Sequence, residues 1–196
     1  MNYKSVREFI RLVIKENSQQ LDSAQILSQW AHQGQKRRSG EPYFLHPQEV
    51  GDIIQKYYSD TETYYTALLH DALEDGIPLG NIEDEEMFFN MLAAELPSDA
   101  IDAIDSIYNS VVDLTKPPGF DYFSYVIELT NNPIALRVKL ADMMQNISDN
   151  PSERQLNKYV KTKDLLLQKF GEKAPNGITQ SHWADFKRTV EAASEK

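Results

Sequence analysis

Apolar residues recur at helical spacing along most of this chain. Val6, Phe9, Ile10, Val13 and Ile14 share one helical face, and Leu21, Ala24, Ile26, Leu27 and Trp30 repeat the pattern before Gly34. That spacing predicts two helices, with the glycine placed to end the second. A basic loop follows, Lys36-Arg37-Arg38-Ser39-Gly40-Glu41-Pro42, carrying two breakers near its end. Pro47 starts a third helix, because the N–H it lacks has no partner in a first turn; Val50, Ile53 and Ile54 then face inward. A fourth helix runs from an N-cap at Asp60 or Thr61 to Asp75 and is stopped by Gly76 and Pro78.

Glu83-Asp84-Glu85-Glu86 suits the first turn of a helix rich in Met and Phe, since carboxylates favour the positive end of the helix dipole. Pro97-Ser98-Asp99 begins another, with Ile101, Ile104, Ile107 and Val111 inward. Lys116-Pro117-Pro118-Gly119 is a break, and two helices follow, about 121–130 and 133–148. Ser152 and Gln155 form a capping box for a long basic helix to about 170, and a short helix near 181–194 ends the pattern. Strand-like alternation is scarce, no repeat is visible and no linker divides the chain. The expectation is an all-α single domain, residues 1–196, of about nine or ten helices.

Composition narrows the function classes. In 196 residues, 41% are hydrophobic and 10% aromatic, enough for a core, so global disorder is excluded. No apolar run reaches bilayer length and the N-terminus is charged throughout, so neither a membrane span nor a secretory signal is expected, and a cytoplasmic location fits. The absence of Cys excludes disulfide scaffolds, Cys-ligated zinc and thiol catalysis. A net charge of −10 argues against nucleic-acid binding, which needs cations to neutralise phosphates. The charge is uneven: residues 41–150 hold 4 basic and 21 acidic groups, while both flanking segments are net basic. An acidic middle repels an anionic ligand unless a cation sits there, which is a first sign of a metal.

Four histidines are available, His32, His46, His70 and His182. On a continuous helix His70 and Asp71 lie one turn before Glu74 and Asp75, giving four polar groups on one face among Ala67, Leu68, Leu69, Ala72 and Leu73. Carboxylates late in a helix oppose its dipole, so exposure alone accounts for them poorly. Asp142 lies in an apolar stretch, with Lys139 three positions back as a salt-bridge partner and Asn146 one turn on. Pairing with Lys139 and metal ligation both suit it. His46 stands at a loop-to-helix junction, whereas His32 and His182 read as structural or surface groups. Taken in order, His46, His70-Asp71 and Asp142 bring two imidazoles and two carboxylates from three helices, a donor set suited to Mn²⁺, Fe²⁺ or Zn²⁺.

Several motifs occur in an order that resembles the metal-dependent HD superfamily of phosphohydrolases, and more narrowly the hydrolase domain of the RelA/SpoT alarmone enzymes. They are Ala-His-Gln-Gly-Gln-Lys-Arg-Arg-Ser-Gly-Glu-Pro-Tyr (31–43), Leu-His-Pro (45–47) and Ala-Leu-Leu-His-Asp-Ala-Leu-Glu-Asp (67–75). Leu-Thr-Lys (114–116) and Arg-Val-Lys-Leu-Ala-Asp-Met-Met-Gln-Asn (137–146) complete the series. The resemblance implies an HD helical bundle with its motif-bearing core at 31–149 and further helices at 151–196. It implies that His46, His70, Asp71 and Asp142 bind a metal, usually Mn²⁺, and that Glu74 and Asp75 position and activate water. It places Arg37, Arg38 and Ser39 against a guanine base, and Asn146 against the nucleoside. Gly76 stands where the family commonly has Thr, and Ser148 where it commonly has Arg.

The implied activity is hydrolysis of the 3′-pyrophosphate of the stringent-response alarmone (p)ppGpp, to GDP or GTP plus pyrophosphate. No synthetase motif accompanies it. A metal that acidifies water and polarises a phosphoryl oxygen suits that chemistry, and Lys36, Arg37 and Arg38 supply charge and stacking surface for a guanine nucleotide. Arg137 and Lys139 are placed to extend the phosphate contacts. Two alternatives remain: an HD phosphohydrolase for the 2′-phosphate of NADPH or a nucleoside monophosphate, and a nucleotide-sensing binding module. A protein partner and a homo-oligomer both stay open.

Overall fold

The computed structural model describes residues 23–96 and 100–195. The helix expected over Val6–Ile14 and the start expected at Pro97-Ser98-Asp99 lie outside the described residues. Within them the chain forms α1 (Ser23–Ala31), α2 (Leu45–Gln55), α3 (Thr61–Leu69), α4 (Ala72–Gly76) and α5 (Glu85–Glu95). A 3₁₀ turn (Ile101–Ala103) then leads to α6 (Ile104–Leu114), α7 (Tyr122–Leu129), α8 (Pro133–Ser148), α9 (Glu153–Phe170) and α10 (Gln180–Ser194). Among the described residues the sole β pairing is one isolated bridge, Lys36 with Pro42. The all-α expectation holds.

The caps explain most boundaries. The Asp60 carboxylate accepts from Thr63 N–H at 2.8 Å and starts α3. Asn132 caps α8 just before Pro133, and Ser152 with Gln155 forms the capping box of α9. Each cap supplies partners for first-turn N–H groups that have none inside the helix. Two boundaries differ from expectation. The third expected helix begins at Leu45 rather than Pro47, so His46 lies on its first turn. The fourth is broken: α3 ends at Leu69, Asp71 takes φ −99° and ψ 0°, and α4 resumes at Ala72.

Helix α3 is the hub, packing against α1, α2, α6 and α8. Its residues Tyr65, Ala67, Leu68 and Leu69 are all buried. Leu68 and Leu69 join a core with Trp30, Phe88, Met91 and Ile107. Ala67 joins a second core with Val50, Leu136, Val138, Trp183 and Phe186. The end of α3, where His70 sits, therefore lies at the seam between two hydrophobic clusters, in a place where water is scarce and a polar group needs a defined partner.

Candidate metal centre

Three buried side chains, His46 from α2, His70 from the end of α3 and Asp142 from α8, bring one donor atom each within 4.8 Å of one another. His46 Nε2 lies 3.2 Å from Asp142 Oδ1, and His70 Nε2 lies 3.9 Å from the same oxygen. Asp71 Oδ2 stands beside them, 3.2 Å from His70 Nε2 and 3.7 Å from His46 Nε2. The four residues that the motif order singled out thus converge.

The surrounding hydrogen bonds set the direction of each donor. His70 Nδ1 is 2.8 Å from the Ala67 carbonyl, which can only accept, so Nδ1 carries the proton and Nε2 presents a lone pair. His46 Nδ1 donates to Gln145 Oε1 at 2.6 Å, leaving its Nε2 free in the same way. Asp142 divides its carboxylate: Oδ2 accepts from Lys139 Nζ at 2.9 Å, while Oδ1 faces the two imidazoles and accepts from Asn146 Nδ2. Lys139 pairing and convergence on the cluster are therefore compatible, one oxygen for each. Tyr43 donates to Asp71 Oδ2 at 2.7 Å.

Charge in this seam is concentrated. Burial alone pushes the His70 imidazolium down, but the Asp71 and Asp142 carboxylates outweigh it and lift His70 to about 9, so Nε2 presents its lone pair once a cation displaces the proton held there. Burial alone pushes Asp142 up, and Lys139, His46 and His70 overcome that to hold it low. His70 Nε2 is buried and has no aligned hydrogen-bond partner. Two imidazoles, one of them with its buried Nε2 unpartnered, and two carboxylates fit a divalent cation of the Mn²⁺, Fe²⁺ or Zn²⁺ class.

Glu74 and Asp75 lie on α4, beyond the break. Desolvation, then the neighbouring Asp71, pushes Glu74 up; desolvation also raises Asp75. Their settings differ. Asp75 Oδ2 accepts from Gln35 Nε2 at 2.9 Å, and Gln35 Oε1 accepts from His32 Nδ1 at 2.8 Å. Glu74 is exposed.

The basic loop forms a tight turn, held by Arg37 N–H to the Glu41 carbonyl and Tyr43 N–H to the Gln35 carbonyl, with Gly40 at φ 93°. Arg37 does not project freely. Its guanidinium donates to Glu49 and to Asp149, each at 2.8 Å, and its side chain is 7% exposed. Glu49 Oε2 also accepts from Gln145 Nε2, so Arg37, Glu49, Gln145 and His46 form one connected chain. Arg38 and Lys36 are exposed, and Ser39 Oγ donates to Glu41. A cleft of about 220 Å³ adjoins the cluster, lined by Arg37, Arg38, Tyr43, His46, Asn146 and Gln155 among others. Arg137 lies elsewhere, bonded to Gly177 and Thr63 and stacked over Tyr58. His182 is buried against Tyr57 and Tyr58, away from the centre.

Four contributors went unassigned in the sequence: Gln145, Glu49, Gln35 and Tyr43. Gln145, Gln35 and Tyr43 lie inside the quoted motifs, but an amide or phenol gives no ligand signal until its partner is known. His32, read as structural or surface, is buried in the shell of Asp75.

Residues 24–106 match the HD domain family. The chain is 29% identical over 146 residues to the bifunctional (p)ppGpp synthase/hydrolase SpoT of Escherichia coli K12, covering 74% of this chain and 20% of that protein. It is 32% identical over 127 residues to the guanosine-3′,5′-bis(diphosphate) 3′-pyrophosphohydrolase of Vibrio cholerae, covering 65% of this chain and 17% of that one. The chain thus spans about a fifth of the length of the curated relatives it matches. Among the described residues no helix is long and apolar enough to cross a membrane. The HD family match over residues 24–106, together with the motifs, the helical frame and the likeness to these (p)ppGpp hydrolases, supports an HD-superfamily domain of the RelA/SpoT hydrolase type.

Proposed function

We propose that this chain is a Mn²⁺-dependent phosphohydrolase that cleaves the 3′-pyrophosphate of (p)ppGpp, yielding GDP or GTP and pyrophosphate. The observation that carries the reading is the convergence of His46, His70 and Asp142, with both imidazoles turned by Nδ1 acceptors so that Nε2 faces the same point. The printed activities of the relatives support the substrate, as does a cleft beside the cluster that carries two arginines. On this reading residues 31–149 carry the chemistry within one HD-type domain spanning 1–196.

His46, His70, Asp71 and Asp142 would hold the ion, which supplies an acidified water and charge neutralisation on the phosphoryl oxygens. The remaining work falls to protein groups. Glu74, exposed and raised by desolvation and Asp71, accepts a proton from the attacking water. Asp75, fixed by Gln35, orients that water. Water adds at the phosphorus next to the ribose, the bond to the 3′-oxygen breaks, and that oxygen takes up a proton. Arg38 and Asn146 hold the nucleoside in the cleft, while Lys36 and Ser39 complete the loop that borders it.

The test is pyrophosphate release from ppGpp with and without Mn²⁺, run beside NADPH and deoxynucleoside monophosphates. Mn²⁺-dependent release from ppGpp, lost in Asp142→Ala, is expected. Turnover of NADPH or a monophosphate without turnover of ppGpp would overturn the substrate, and activity indifferent to chelator would overturn the metal.

A further inference from the structure

Helix α9 carries no family motif, yet it presents a row of cations. Arg154, Lys158 and Lys161 follow at i, i+4 and i+7 and so share a face. With Phe123 and Asn157 they line an open cleft of about 400 Å³, in which Glu153 is the lone carboxylate. Among the described residues none of the three cations makes an ion pair. Lys158 is the informative one, because it is partly buried and its ammonium lies 4.3 Å from the centre of the Tyr122 ring and 5.1 Å from that of Tyr159. The Tyr122 hydroxyl in turn reaches Met143 Sδ at 3.8 Å, next to Asp142. Desolvation, then Lys139, pushes Lys158 down, and the Asp142 and Glu74 carboxylates offset part of that.

Lys139 already neutralises one oxygen of Asp142, whereas Lys158 has no ion-pair partner among the described residues. A partly desolvated ammonium packed on two aromatic rings, with no carboxylate to meet it, is a costly arrangement unless an anion arrives. The nucleoside cleft, with Arg38 and Asn146, opens on the loop side, whereas Lys158 packs on Tyr122, whose hydroxyl reaches Met143 beside Asp142. We propose that Lys158, flanked by Arg154 and Lys161, forms an anion subsite that takes the pyrophosphoryl arm of the substrate and holds it until pyrophosphate departs. Lys158 acts here as a positioning residue for the group transferred to water. This inference rests on the hydrolase reading above for its substrate, and on the geometry of α9 for its place.

The probe is inorganic pyrophosphate, whose affinity for the metal-loaded protein is measured by calorimetry and as product inhibition, with GDP as the control ligand. Lys158→Met keeps the packing on Tyr122 and Tyr159 while removing the charge; Lys158→Arg keeps the charge. Loss of one charge-assisted contact in a partly exposed site should weaken pyrophosphate by about tenfold in Lys158→Met, leave GDP unchanged, and be largely rescued in Lys158→Arg. Unchanged pyrophosphate affinity in a Lys158→Met protein with wild-type melting temperature would overturn the subsite. An equal loss for GDP would overturn its assignment to the pyrophosphoryl arm. Should the wild type fail to hydrolyse ppGpp while its pyrophosphate affinity still depends on Lys158, the substrate reading falls and the subsite stands.

Discussion

Gln145 and Gln35 each stand between an imidazole and a carboxylate, and each turns its amide so that oxygen accepts from His Nδ1 while nitrogen donates to the acid. The first bridge fixes His46 and is anchored through Glu49 to Arg37; the second fixes Asp75. Partners of this kind set ligand tautomer and orientation, and their loss costs about 10–100-fold in metal affinity. Gln145→Leu should therefore weaken Mn²⁺ binding within that range, and Arg37→Ala should weaken it less, through the slackened Glu49. Arg38→Ala, which touches no part of this chain, should leave Mn²⁺ affinity intact and raise KM for ppGpp. Equal metal affinity in wild type and Gln145→Leu would show that His46 needs no such support. The two acids of α4 separate by kinetics: Glu74→Gln should cut kcat by about 10²–10⁴-fold with metal content unchanged, the span of a general base. Retention of near-wild-type kcat would remove Glu74 from proton transfer.

At the scale of elements, the helices from α7 onward were legible because caps and breakers bracket them: Asp121, Asn132-Pro133 and Ser152 with Gln155 each sit at an observed N-terminus. The break between α3 and α4 was not, since neither Gly nor Pro marks His70-Asp71. It arises from the site itself, where His70 turns back to bond the Ala67 carbonyl and Asp71 leaves helical geometry, yet Asp71 still accepts from Asp75 N–H at 2.9 Å. The same region accounts for Gly76, where the family commonly has Thr. A Cβ on Gly76 would lie 2.8 Å from Ile82 Cδ1, and Ile82 is fully buried, so that isoleucine fills the space a larger residue needs. Gly76→Thr should cost about 1–3 kcal/mol by overpacking. Shortening the neighbour with Ile82→Val should recover part of that loss in a double-mutant cycle read by urea unfolding. Purely additive costs would mean that the two side chains do not compete.

For the whole molecule, the charge asymmetry read from the sequence acquires a location. Two carboxylates of the acidic middle, Asp71 and Asp142, lie at the seam between the two cores beside His46 and His70. The region after residue 150, where no motif could be carried over, contributes Trp183, Phe186 and Val190 to the second core, a role that apolar spacing alone cannot assign to a partner helix. It also carries His182, stacked on Tyr57 at 4.5 Å and bonded through Nδ1 to the Tyr58 hydroxyl. Burial pushes His182 down to about 4. The folded state therefore binds fewer protons than the unfolded chain between pH 4 and the ordinary histidine value near pH 6.5. This contribution is fully present above about pH 6.5, is lost as pH falls toward 4, and amounts to roughly 3 kcal/mol at most. Unfolding free energy measured from pH 7.5 to 4.5 should fall less steeply in His182→Phe than in wild type; identical slopes would show that the ring is not kept neutral by the fold. The separation of the two cores has a further consequence, for the order in which the protein is made. The cluster around Trp30, Leu68 and Ile107 is drawn from residues 24–111, all synthesised before Asp142. While the chain is still on the ribosome, that part can condense with Leu69, next to His70, already packed, whereas His46 still lacks Gln145 and both imidazoles lack their shared carboxylate. Ion capture by the complete donor set must then wait until α8 has emerged, which makes the metal a seal on a finished fold rather than a nucleus for it.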